Sequence, residues 1–382
     1  MDDRGKRGEE ERGVRNTENK APAQGAKRRP RGVKEILARN MSLTALILAL
    51  ILGGVIMFLC GYNPFEAYGA IMRGAFGGKK AVCQTLVQAT PLIFAGLAYT
   101  VAKRANLINL GIEGQLYIGA LGTTVVALLP LNLPAAIWIP LALLCGMIAG
   151  GLYAGIVGFM KVKFGSNEVI ATMMLNTIAV NFVEYAVNYP LKEEGKSIAQ
   201  TAKFAEAIWL PKIVEKTQLT IAVLIAVAAC ILIKLLLDRT VIGYDIKCVG
   251  QNLKASETAG IKIGRVMITA MLISGAIAGL LGGTHVMGVD RRLIAGFSSG
   301  YGFDGIAVAA LAADSPVAVI FSGIIFGALR AGCMVLNRTT GVPTEFIDVI
   351  QAFIILLVAA PLLVKEILRM RQDRAVRKGA LA

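Results

Sequence analysis

Seven uninterrupted apolar runs, each long enough to cross a bilayer, dominate the middle of this chain and restrict what it can fold into. They lie at about 43–61, 82–102, 135–160, 219–237, 267–288, 316–336 and 345–364, matching the roughly 17–25 residues a helix needs to span hydrocarbon. Charge is pushed aside to match. Residues 1–40 and 365–382 hold 27 of the 65 Lys, Arg, Asp and Glu side chains, leaving 38 for the 324 residues between. Overall 17% of the chain is charged, against about 25% in a soluble domain. The reading is an all-α polytopic membrane protein, with basic tails at 1–40 and 366–382 around a membrane domain at 41–365.

Three weaker segments join the seven. Residues 109–129 contain Glu113 and several glycines, 168–190 carry Asn176, Asn181 and Glu184, and 303–313 is too short to cross alone. About ten segments (eight to ten) put both termini on one side, as two basic tails require. With the termini inside, inner segments hold 27 Lys and Arg and outer loops 11, while Lys234 and Arg330 fall within spans. The positive-inside bias supports cytoplasmic termini in the cell membrane. The hydrophilic first 40 residues leave no room for a cleavable signal peptide, so the span from Ser42 to Cys60 is expected to direct insertion.

The net charge of +15 is accounted for by tails and loops without aromatic interleaving, which argues against nucleic acid. The tail before Val33, poor in large apolar residues, is expected to be disordered and to touch anionic lipid heads. Six scattered cysteines without CxxC spacing and a single histidine, His285, exclude a disulfide framework, a zinc site and an organised hydrolase centre. Gly300–Gly305 fits the GxGxxG pattern but follows no strand, and Gly77-Gly78-Lys79-Lys80 lacks the spacing of a phosphate loop. Any ATP that drives this chain is bound by another. His285 reads as a packed or interfacial residue. Gly146, Gly150, Gly151 and Gly155, with Gly275, Gly279 and Gly283, form small-xxx-small ladders for close helix packing.

The two halves resemble each other weakly. Gly111-Ile112-Glu113-Gly114 returns 191 positions later as Gly302-Phe303-Asp304-Gly305, and Gly151–Gly155 returns as Ala328–Gly332. From Gly155 to Glu168 and from Gly332 to Glu345 is 13 residues each. In the ten-segment topology the copies run in opposite directions, giving the inverted repeat common in transport proteins. Glu113 and Asp304 each sit in a glycine-bracketed break, near 109–115 and 300–313. A charge at membrane depth must line a polar cavity or find a partner. The breaks therefore either flank a solute route or place each acid as the N-cap of the helix that follows it. Asn109, Glu113, Gln115, Asn176, Tyr301 and Asp304 are the candidate pathway residues.

The inner loop 238–266 is the second informative stretch. Asn252 is a good N-cap, Leu253–Ala259 makes about two helical turns, and Gly260 stops them. A short capped helix with little bilayer to bury against suits docking into another protein.

At this point a family resemblance emerges. Val249-Gly250-Gln251-Asn252 through Ala255, with Glu257 and Thr258-Ala259-Gly260-Ile261, resembles the coupling segment of ABC importer permeases of the ribose and branched-chain amino acid class. Asn109-Leu110-Gly111-Ile112-Glu113-Gly114-Gln115 and Gly165–Asn176 resemble the nucleoside-uptake branch, whereas sugar permeases usually carry Gly-Gly-Ile-Asp-Leu-Ser at the first place. The resemblance covers roughly 41–365. It implies alternating access without enzymatic activity in this chain. A cytoplasmic ABC ATPase binds the ATP and engages residues 252–260. A second, different permease chain is implied to complete the pore, and an extracytoplasmic binding lipoprotein to deliver the solute. A ribose or other simple-sugar permease is the nearest alternative. An ion-coupled secondary transporter with Glu113 and Asp304 as ion sites is a further one, and it would not need the capped helix.

Overall fold

A computed structural model describes residues 41–130, 133–340, 349–350 and 352–353, with side chains from residue 47 onward. The expected span at 345–364, the second repeat's Glu345 and both basic tails lie almost wholly outside the described residues. Within them the protein is all-helical, with twelve α-helices. In chain order these are α1 (Met41–Leu59), α2 (Pro64–Phe76), α3 (Lys79–Arg104), α4 (Ile112–Leu128), α5 (Ala135–Phe164) and α6 (Glu168–Asn188). Then follow α7 (Ala222–Arg239), α8 (Val241–Gln251), α9 (Leu253–Thr258), α10 (Ile263–His285), α11 (Tyr301–Leu311) and α12 (Ala318–Thr340). A π-helical turn, Val286–Asp290, extends α10.

Local chemistry sets several boundaries. The Asn63 side chain accepts from Phe65 N, with Pro64 at the first helical position of α2. Asn167 accepts from Val169 N at the start of α6. Gly165, at φ 64, ends α5 in the left-handed conformation.

Five helices, α3, α5, α6, α12 and α10 with its π turn, are long and apolar enough to cross a membrane, while Ile47–Leu59, α4 and α11 are apolar but shorter. Large apolar side chains such as Phe58, Leu144, Leu152 and Leu232 lie on the outside. A soluble protein does not expose such a girdle. This is a multi-pass membrane protein.

Glycines set the packing, as the ladders predicted. A Cβ on Gly150 would lie 2.5 Å from Gly275 O, one on Gly279 2.1 Å from Gly146 O, and one on Gly119 2.2 Å from Gly279 Cα. Three backbones, α4, α5 and α10, thus touch around Gly279. α3 lies between α10 on one side and α11 and α12 on the other. At one end of the bundle the 189–221 connection is stitched to the segment between α10 and α11. Thr201 N donates to Leu293 O at 2.9 Å and Phe204 N to Arg291 O at 2.9 Å. There Trp209 lies between Arg291, 4.0 Å from the ring centroid, and Lys203, at 4.7 Å. Two helices lie outside the apolar runs: α2, short and interrupted by Glu66 and Arg73, and α8, which falls in the inner loop and carries Asp245 and Lys247.

Candidate functional site

The two glycine-bracketed breaks meet. Residues 105–111 separate α3 from α4, and residues 291–300 precede α11. The N-terminal turns of α4 and α11 pack head to head: a Cβ on Gly302 would lie 2.4 Å from Glu113 N. Glu113 Oε2 accepts from Gly302 N at 2.7 Å. The acid therefore does not cap its own helix, the simpler of the two expectations. It caps the facing one, adding its negative charge where that helix's amide dipoles point. Asp304 points elsewhere, to Arg330 of α12, with Oδ2 2.6 Å from Nη2.

Arg330 organises this end of the site. Its Nη1 donates to Ser299 Oγ at 3.1 Å and Nη2 to Ser299 O at 2.9 Å, while the guanidinium lies 4.8 Å from the Tyr301 ring centroid. Tyr301 is buried. Its hydroxyl donates weakly to Gln88 Oε1 at 3.5 Å, and its ring sits 5.4 Å from His285. His285 in turn has Nε2 3.5 Å from Asp290 Oδ2 and its ring 5.8 Å from Phe297. The histidine is packed, as expected, among aromatic rings.

Asn109, Gln115 and Asn176 hold the first break. Asn109 and Gln115 exchange amide hydrogen bonds at 2.9 and 3.0 Å, and Asn109 Nδ2 also donates to Ser274 Oγ at 2.9 Å. Ser274 passes the chain on to Ala98 O at 2.7 Å. Asn109 Oδ1 accepts from Gly111 N. Asn176 Oδ1 accepts from Gly114 N at 2.7 Å and its Nδ2 donates to Leu110 O at 2.6 Å. Asn109 is 0% exposed, Gln115 1% and Asn176 7%. Backbone groups freed by the break are satisfied by side chains, as they must be away from water.

The loop helix stands apart from this interior. Asn252 Oδ1 accepts from Ala255 N at 3.2 Å, and Gly260 ends α9 at φ 81. Asn252, Ala255, Glu257, Thr258, Ala259 and Gly260 are exposed, and Ser256 alone of the helix is buried. Gly250, just before it, is clamped: a Cβ there would lie 2.0 Å from Arg104 O. Arg104 closes α3 and grips the far end of α11, its Nε and Nη2 donating to Asp314 O at 3.0 and 2.8 Å. Burial raises the Asp314 carboxyl above its ordinary range, against the pull of Lys103 and Arg104. Eleven residues of α11 at about 1.5 Å each put Gly302 some 16 Å from this end, about half the apolar thickness of a bilayer.

Gln88, Ser274, Ser299 and Arg330 were not among the sequence candidates. Arg330 had a signal, being one of the few charges inside an apolar run. The others are ordinary polar residues until the fold brings them together.

The chain matches the model of the branched-chain amino acid transport system permease component over residues 81–359. It belongs to that family. The permease is 35% identical to the guanosine ABC transporter permease protein NupP of Bacillus subtilis, across 86% of this chain and 95% of the relative. It is 31% identical to the nucleoside ABC transporter permease protein NupB of Lactococcus lactis, across 85% and 92%. It is 33% identical to the glucose ABC transporter permease protein TsgB13 of Haloferax volcanii, across 85% and 88%. No solved structure matches the permease. As a permease component it is a transport subunit, not an enzyme.

Proposed function

We propose that this permease translocates nucleosides through the membrane in an ATP-driven importer. A cytoplasmic ATPase on a separate chain binds the ATP and docks on α9. The observation that carries the reading is α9 itself: a capped, almost wholly exposed helix whose preceding glycine rests on the end of α3. A push on α9 reaches Arg104, from there the 105–111 break and the end of α11, and through Glu113 and Gly302 the meeting point of the two half-helices. An ion-coupled carrier has no use for that linkage. The nucleoside class rests on the guanosine and nucleoside permeases among the relatives and on the Asn109–Gln115 segment. The glucose relative makes a simple sugar the second reading.

Ten segments, an inverted repeat and cytoplasmic termini belong to the same proposal. The opposed first turns of α4 and α11, carrying the matched Glu113 and Asp304, support the repeat. A second permease chain completes the pathway, an extracytoplasmic lipoprotein delivers the solute, and the basic tails lie against anionic lipid. Glu113, Tyr301 and Asp304 act at the moving contact between half-helices, with Asn109, Gln115 and Asn176 holding its near wall.

Uptake of labelled uridine or guanosine tests this in cells expressing the permease with its partner subunits, competed with excess ribose. The same assay is run with Asn252–Ala259 replaced by a Gly/Ser linker. Uptake lost with the linker and resistant to ribose is the expected result. Uptake that survives the linker overturns the docked ATPase, and uptake abolished by ribose moves the substrate to sugars.

A further inference from the structure

The interior candidates are nearly all spent on internal bonds, but among the described membrane helices α6 leaves a polar face open. That helix buries Thr172, Asn176, Ala179, Val183, Ala186 and Val187. Its opposite face carries Thr177, Asn181, Glu184 and Asn188. Spacings of four, three and four place these residues in one row. Thr177, Asn181 and Asn188 are exposed and Glu184 is half-buried. Among the described residues, the only side-chain bonds they make run along their own helix, Asn181 Nδ2 to Thr177 O at 2.8 Å and Asn188 Nδ2 to Glu184 O at 2.9 Å. The Glu184 carboxylate has no cationic partner among the described residues.

Such a row cannot face lipid. Asn181 lies about 10 Å and Thr177 about 16 Å from the end of the helix at Asn188, and neither side chain is long enough to snorkel to the interface. Intramembrane carboxylates face a protein interior or a water-filled cavity. Beside the row, Tyr185 and Tyr189 are largely exposed, with ring centroids 5.1 Å apart. Below it, on the same face, the polar residues stop: Ile170, Met173 and Met174 are exposed and apolar.

We infer that this face of α6 lines the solute route, in a cleft shared with the second permease. The Tyr185–Tyr189 pair supplies a stacking surface for a base. Asn181, Glu184 and Asn188 bond sugar hydroxyls, a carboxylate being suited to accept from a vicinal diol. Ile170, Met173 and Met174 form the apolar seal beyond. The assignment rests on the nucleoside reading for its ligand, but not for the wetness of the face.

The test uses the complete transporter with its six native cysteines replaced. Single cysteines are introduced by Asn181→Cys, Asn188→Cys and, on the apolar outside of α7, Leu232→Cys. Each is treated with a charged, membrane-impermeant methanethiosulfonate, alone and with uridine, guanosine or ribose. In parallel, the uptake KM for uridine is measured for Glu184→Gln and Tyr185→Leu, which keep the native cysteines. The expected result is labelling at 181 and 188 at least tenfold faster than at 232, slowed by nucleoside, with KM raised about tenfold in both uptake variants. Labelling no faster than at 232 overturns the inference, since the face is then dry. Fast labelling that no solute slows, with both KM values unchanged, overturns it equally and leaves the nucleoside reading intact if wild-type uridine uptake persists. Protection by ribose alone keeps the solute route on α6 and removes the nucleoside reading.

Discussion

Glu113 and Gly302 lie 189 residues apart in the chain, yet the carboxylate of one accepts the backbone N–H of the other at 2.7 Å. The bond joins two half-helices that each stop inside the bundle. A buried hydrogen bond to a charged group contributes about 1.5–3 kcal/mol. Glu113→Ala should therefore destabilise the permease by about 2–3 kcal/mol, because Gly302 N is left buried and unpaired. Glu113→Gln, which keeps an acceptor oxygen, should lose about half as much. Thermal unfolding of the purified protein in detergent checks the order. Equal losses in the two variants would mean that the bond has no weight of its own.

Gly279 tests the packing. Any side chain there meets Gly146 O at 2.1 Å, which is backbone and cannot rotate away. Gly279→Ala should cost about 1–3 kcal/mol through overpacking. Gly69, in α2, has open space around its missing Cβ, so Gly69→Ala should be neutral or gain up to about 1 kcal/mol of helix propensity. The same melting experiment compares them. A neutral Gly279→Ala would show that α5 and α10 can separate at no cost.

Arg330 presents a fork, not a point charge. Two of its nitrogens reach Ser299 and Asp304 while its plane covers Tyr301. Lysine keeps the charge and loses the fork and the stacking. Arg330→Lys is expected to lower uptake at least tenfold, with the protein still reaching the membrane. Near-normal uptake would reduce Arg330 to a counter-ion for Asp304.

Much of this organisation was legible in the residues, and the parts that were not share a reason. Apolar runs and caps are local, so ten of the twelve described helices, the Asn252 cap and the Gly260 stop can be read directly. The glycine ladders announced close packing because only glycine permits such an approach. What an acid touches is not local. Glu113 and Asp304 looked equivalent by spacing, yet one caps a facing helix and the other binds Arg330, because only the folded bundle decides which neighbour lies within reach. Asn176 and Asn181 lie five residues apart on one helix, a spacing that turns them to opposite faces. One is consumed by Gly114 and Leu110, while the other looks outward.

Asp314 offers a pH signature. Its carboxyl is held above the ordinary range by burial, so folding favours the protonated form. The stability this gives is fully present below the unfolded pKa, about 3.9, and is lost as pH rises through the raised folded value. Asparagine is always neutral, and it tolerates the positive φ of 54 at this position. Asp314→Asn should match the wild type below about pH 4 and exceed it in melting temperature near neutrality. A constant difference at every pH would assign the effect to packing.

Gly250 separates coupling from folding. Its α-carbon is pressed against Arg104 O so closely that a Cβ would sit at 2.0 Å, so Gly250→Ala must push α8 and the exposed α9 away from the end of α3. α9 itself is untouched and can still meet an ATPase. The expected outcome in the assembled transporter is an ATPase rate within about twofold of wild type, with solute uptake reduced about tenfold, equivalent to roughly 1.4 kcal/mol of lost coupling. Measuring both rates in the same proteoliposomes decides it. A parallel fall in the two would mean that Gly250 serves only to seat the ATPase, and unchanged uptake would show that motion does not pass from α9 to α3 at Arg104.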